Sequence, residues 1–319
     1  MLSLLIIVTA TIFILPFAPT AGLFLRQRRA LGPSSLSEAA YAPDHFARSL
    51  ITKLRTRVAL FAQPVTAVTK YQLDDELLLL IPASVRRPPA ECATKMSYAF
   101  GDIVLPASMP CQKEIACEGS MESGENGSYR ALYAAATLHL NRNSTIIRWC
   151  HADAILKISG GCRITGRASA NETIEIDAPC LFMSMAAPTI LAGDAQPRVC
   201  DAVLPDPASA TMTENRVVRG PISLAAGTRL RGSVKARRRL EVGADSVIDG
   251  ALVCEGDIVI GTRCVVWGPI VAEGDIHIAE GCEIGCLGRP ASVVGEDVEI
   301  SVPAVIHGAL HARRIGRII

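Results

Sequence analysis

Aromatic side chains make up only 4% of the 319 residues, although half of the chain is apolar. A core with so few rings is a core of Ile, Leu, Val and Ala, which suits thin stacked layers better than a globular interior. Net charge is equally sparse: 32 basic against 31 acidic residues leave +1. No field over the whole molecule therefore recruits nucleic acid, and none is expected as a partner. The eleven cysteines are odd in number and include no CxxC pair, which argues against a zinc ribbon and against a complete disulfide framework. No phosphate-cradling glycine loop, nucleophile elbow or histidine cluster with metal-ligand spacing occurs. The motifs thus point to no catalytic residue, no cofactor and no metal.

The chain opens on an uncharged, mostly apolar run over residues 2–25, long enough as a helix to cross a hydrocarbon core of about 30 Å. Residues 1–26 read as a transmembrane anchor. A cleaved signal peptide would carry its positive charge before the apolar run, whereas here Arg26, Arg28 and Arg29 come after it. By the positive-inside rule these flanking arginines place the remainder in the cytoplasm, giving a single-pass protein of the inner (cytoplasmic) membrane. Residues 27–100 read as a helical and linker juxtamembrane region. Ser35 and Glu38 have capping-box spacing, and Phe46, Leu50, Leu54, Val58 and Phe61 form one apolar stripe beside Arg48, Lys53, Arg55 and Arg57. Such a helix lies on the inner leaflet or packs against the first coil of the repeats that begin near residue 100. An apolar run at 77–81 and a linker at 86–89 complete this region.

Beyond residue 100 an apolar-x-apolar pair recurs every eighteen residues, at Leu138/Leu140, Leu156/Ile158 and Ile174/Ile176, then at Ile222/Leu224, Leu240/Val242, Ile258/Ile260 and Ile276/Ile278. Within each eighteen lies a unit of six, as in VGADSV, IDGALV, CEGDIV and IGTRCV from Val242 onward. Residues two apart in a strand share a face, so the pair points inward and the residue between points out, as Lys157, Glu175, Glu241 and His277 do. Gly and Asp in mid-unit turn the chain into its next side. Three sides close a coil, and coils become stable only as an array. The fold class is therefore all-β, a single-stranded parallel β-helix behind the anchor and its helical linker. Six cysteines (Cys150, Cys162, Cys180, Cys254, Cys264, Cys282) fall on inward positions and read as small core residues of a reducing compartment.

The periodicity divides into a first block over 101–187, a loop insertion over 188–215 and a second block over 216–319. A four-residue phase shift between Ile284 and Val294 adds a smaller loop within 285–293. The last coil ends without a capping helix, so its apolar side chains Ile306, Leu310, Ile315 and Ile318 are expected to form an open end through which chains associate.

The segment LRGSVKARRRLEVGADSVIDGALVCEGDIVIG, together with VAEGDIHIAEGCEIG after it, resembles the bactofilins, polymer-forming cytoskeletal proteins of bacteria. The likeness covers residues 216–318 well, while residues 130–180 share only the periodicity. It implies a β-helix that polymerises end to end, often at the membrane, and that organises envelope-synthesis or morphogenetic proteins. A non-enzymatic, membrane-anchored scaffold is the expected function. Two alternatives stand beside it: a hexapeptide-repeat acyltransferase, which uses the same six-residue code, and a module binding cell-wall polysaccharide. The former needs a general-base histidine in a cleft, yet His139, His151, His277, His307 and His311 all fall on outward positions of coils, His45 falls on the helix, and spacing identifies no acid partner for any of them.

Overall fold

The structure, a computed structural model, describes residues 43–59, 65–73, 76–197 and 215–319. The chain divides into two units, Met1–His45 and Phe46–Ile319. The apolar run at 2–25, the arginines Arg26, Arg28 and Arg29 and the capping-box pair all lie outside the described residues. No helix among the described residues is long and apolar enough to cross a membrane.

The second unit is a parallel β-solenoid of about twelve turns, made in two blocks. On one side of the first block, strands Glu76–Ile81, Met96–Ala99, Pro110–Cys117, Ser128–Ala134, Thr145–Ala152, Arg163–Ala170 and Cys180–Ala192 pair in parallel, in that order. On one side of the second, strands Arg216–Val218, Val234–Ala236, Leu252–Cys254, Ile270–Ala272, Ala291–Ile300 and Ala304–Ile318 do the same. Register partners from Arg216 to Ile284 lie eighteen residues apart, as in Leu240↔Ile258 and Ile258↔Ile276. The chemistry of the six-residue unit thus becomes a column: Val234, Leu252, Ile270, Val293 and Leu310 stack inside, each fully buried. Each such aliphatic side chain contributes about 1.5–3 kcal/mol on leaving water.

The aspartates of the repeat join successive coils. The Asp257 carboxylate accepts the Asp275 N–H at 3.0 Å, and the Asp275 carboxylate accepts the Asp297 N–H at 3.1 Å. This satisfies turn amides that the ladder of strands leaves over. The phase shift takes the form of a short excursion at 286–290, closed by paired Cys286 and Arg289 backbones. Across it, coil partners lie twenty-two or twenty-three residues apart, as Ile276↔Val298 and Ile270↔Val293 do.

Three expectations need correction. The solenoid starts before residue 101, because Glu76–Ile81 already pairs in parallel with Met96–Ala99. The stretch 86–89, expected as a linker, belongs to the first coil, where the Arg86 carbonyl accepts the Val104 N–H. The first block also runs past residue 187: Pro188 sits within the strand Cys180–Ala192, at a corner where no ladder N–H is required.

Helix α1, His45–Val58, packs on the outside of the first block. Its buried face is Ala47, Ile51, Leu54 and Val58: Leu54 and Val58 of the expected stripe are on it, Leu50 packs at its margin, and Phe46 is exposed. This face covers Leu78, Leu80, Tyr98, Ala116, Ala131, Tyr133 and Trp149, so the helix spans several coils and not the first alone. Those residues are outward positions made apolar, the signature of a covered side.

Candidate functional site

The four side chains expected at an open carboxy-terminal end are occupied within the chain. Strand Ala304–Ile318 is the last coil of the second block, and it pairs antiparallel with Cys180–Ala192, the last coil of the first. All three sides take part: Cys180↔Ile318 and Phe182↔Gly316 on one, Met185↔Leu310 and Ala187↔Gly308 on the next, Ile190↔Ile306 and Ala192↔Ala304 on the third. Ile306, Leu310 and Ile318 are fully buried and Ile315 is half-buried. The two blocks are therefore one stack joined tail to tail. An exposed strand edge is relieved by any complementary edge, and here the complement lies about 120 residues earlier in the same chain.

The residues at this junction are shaped for close approach. Gly316 faces the Phe182 ring, where a Cβ would fall 2.4 Å from ring carbons. Gly308 turns a corner at φ +130°, a region open to glycine. One buried polar cluster crosses the seam. The His307 ring, 1% exposed, lies 3.3 Å from the Glu283 carboxylate of its own block and 3.3 Å and 3.2 Å from the Thr189 hydroxyl and Pro188 carbonyl of the other.

A second polar cluster lies beneath α1. Arg55 donates twice to the Glu118 carboxylate, at 2.8 Å and 2.7 Å, and once to the Tyr133 hydroxyl at 3.2 Å. Tyr98 donates to Glu118, and Tyr133 donates to Asp153. The Arg55 guanidinium holds the Glu118 carboxyl below its usual range, while burial first and their carboxylate partners second push both tyrosines up. Asp153 in turn lies 3.1 Å from His151 Nε2, and His151 Nδ1 lies 2.8 Å from the Ser169 hydroxyl. This places a serine, a histidine and an aspartate in hydrogen-bonded sequence. His151 is 1% exposed and Ser169 is 4% exposed, however, so the accessible end of the relay is the carboxylate. What the network does chemically is fix α1 to the strands Met96–Ala99, Pro110–Cys117, Ser128–Ala134 and Thr145–Ala152.

Spacing identified no acid partner for the histidines, and the structure supplies three, at His151–Asp153, His307–Glu283 and His277–Glu299. The first pair was within reach of sequence reasoning, since residues two apart in a strand share a face. The other two join adjacent coils whose partners lie 22 and 24 residues apart because of the excursion at 286–290. His277 stands exposed, 3.4 Å from Glu299. His139 lines a hollow of about 190 Å³ with Asp102 and Glu122, below the size of an ordinary small-molecule site.

The ten described cysteines are buried, and none is in a disulfide. Desolvation pushes most of their thiols up, while that of Cys264 is drawn down, chiefly by its neighbour Cys282 on the next coil. Cys162, Cys264 and Cys282 donate to carbonyl oxygens of the previous turn at 3.1–3.2 Å, as small core residues with one polar handle do. Among the described residues no three His, Cys, Asp or Glu side chains gather as metal ligands. Comparison with protein-family models, with curated proteins and with solved structures returned no match.

Proposed function

We propose that this protein is a non-enzymatic scaffold of the bactofilin-like kind, tethered to the inner membrane by residues 1–26, with a rigid β-helical stack in the cytoplasm that organises envelope-synthesis or morphogenetic partners. The observation that carries this reading is the antiparallel junction of Cys180–Ala192 with Ala304–Ile318. Coils of this chain meet end to end through backbone pairing on all three sides, the kind of contact a polymer-forming solenoid makes between subunits. Here one chain supplies both sides. The proposed unit is accordingly a finite rod, of about 60 Å for twelve layers at strand spacing, and not a filament grown through the carboxy-terminal coil.

Electron microscopy of the purified full chain, together with its mass in solution, tests the proposal. Short rods of constant length support it. Long filaments, or a compact particle carrying enzymatic turnover, count against it. The exposed His277–Glu299 pair favours one other reading, acyl transfer with His277 as general base. Turnover of an acyl-CoA that disappears in His277→Ala would replace the scaffold with that enzyme.

A further inference from the structure

The end of the second block opposite the junction carries most of that block's positive charge. Residues 215–250, its first two coils, hold eight basic and three acidic residues, while residues 251–319 hold five basic and nine acidic. Arg216, Arg219, Arg229, Arg231, Lys235, Arg237, Arg238 and Arg239 are all exposed, on layers only about 5 Å apart. Several of the acidic groups in reach are already engaged. Glu241 takes Arg239, Asp245 takes Arg263, and Asp249 lies between Arg231 and Arg289. Arg216, Arg219 and Arg238 form no ion pair among the described residues.

Arg216 is placed more tellingly still. Its register partner is Val234, which puts it at the head of the column Val234, Leu252, Ile270, Val293, Leu310. A cation in an inward column, at an edge that no other described strand pairs, opposes stacking of a second copy there, and two such ends would bring two arginine clusters together. Val217, beside it, is 79% exposed. The two coils contain no Phe, Tyr, Trp or His, so they offer nothing on which bases stack.

We infer that this basic end is a docking surface for the phosphate headgroups of an anionic membrane. The acidic remainder of the block would be repelled by the same surface, which orients the stack with this end toward the lipid. The inference rests on the proposed membrane association but uses a different surface from residues 1–26.

The test combines flotation of the full chain with hydrogen exchange, in neutral phosphatidylcholine vesicles and in vesicles containing about 30% phosphatidylglycerol. Flotation with neutral vesicles reports the anchor alone. Slower exchange over 215–239 only with the anionic vesicles, abolished by about 0.5 M salt, is the expected result. Each of Arg216→Gln, Arg219→Gln and Arg238→Gln should weaken the anionic component about fivefold, and the triple variant on the order of a hundredfold. These side chains are exposed, so unchanged exchange elsewhere checks that the fold persists. Equal exchange over 215–239 in both vesicles overturns the inference while leaving the anchor intact. Protection of the same peptide by duplex RNA or DNA and not by anionic lipid also overturns it, in favour of nucleic acid. Charge-dependent protection without flotation in neutral vesicles upholds the inference and removes the anchor.

Discussion

Gly256 illustrates how tightly single residues are held in a stack. A Cβ there would fall 1.6 Å from the Arg238 carbonyl oxygen of the preceding coil, and that backbone cannot move without breaking the ladder on either side. Gly256→Ala is expected to cost about 2–4 kcal/mol, measured as a fall in the urea midpoint of the full chain. The cysteines give a pH dependence. Burial pushes the thiols of Cys111 and Cys117 up to about 12 and that of Cys162 up to about 11, above an unfolded value of about 8.5. A raised folded value means that the stabilisation is complete below about pH 8.5 and is lost as pH rises toward the folded values, because the unfolded chain ionises first. The urea midpoint should therefore fall between about pH 9 and 11, and fall less in Cys111→Ala/Cys117→Ala. A midpoint flat over that range would contradict the buried, protonated thiols. The inward cysteines were readable from their place in the repeat. The burial of His307 was not, because an outward position in the repeat says nothing about what covers it.

At the scale of elements, α1 stays in place through four buried apolar side chains and one charged pair. Leu54→Ala removes a fully buried side chain and should cost about 2–4 kcal/mol, with faster hydrogen exchange in His45–Val58 and little change in the second block. Equal destabilisation of both blocks would contradict a locally docked helix. The Glu118 carboxyl, depressed by Arg55, adds a component of the opposite pH sign. It is present above the unfolded value near 4.3 and lost as pH falls through the folded value, so α1 should loosen in acid before the coils do. Glu118→Gln should loosen it at neutral pH. Strands with the spacing of Leu240/Val242 were legible because a period of two inside a period of eighteen admits few other folds. The region 62–100 was not legible, since the first coil of Glu76–Ile81 and Met96–Ala99 is closed by irregular chain and a 3-10 turn at Ala90–Ala93 and carries no six-residue code. On α1 the expected Leu54 and Val58 are buried, and only the first half of the face was misplaced, with Ala47 and Ile51 in place of Phe46 and Leu50.

For the whole molecule, the decisive feature is the direction in which the two blocks meet. Both carry the same code in the same phase, and that code specifies which side chains point inward but not whether a terminal coil faces solvent, another chain or its own chain. Glycine and alanine at Gly308, Gly316, Ala186 and Ala309 marked the seam only in retrospect, since small residues also serve ordinary turns. The scaffold reading rests on this topology, with one end of each block consumed in the other and the basic first coils of the second block left outward. The most direct measurement is a cross-link across the seam. Leu181 and Arg317 are register partners with half-buried side chains, at a Cα separation of about 4.5–5.5 Å for an antiparallel pair, within reach of a disulfide. Leu181→Cys/Arg317→Cys should oxidise to an intrachain disulfide, migrating as a single chain on non-reducing gels at every protein concentration. A disulfide that forms only between chains, or that fails to form in the folded protein, would contradict the tail-to-tail stack.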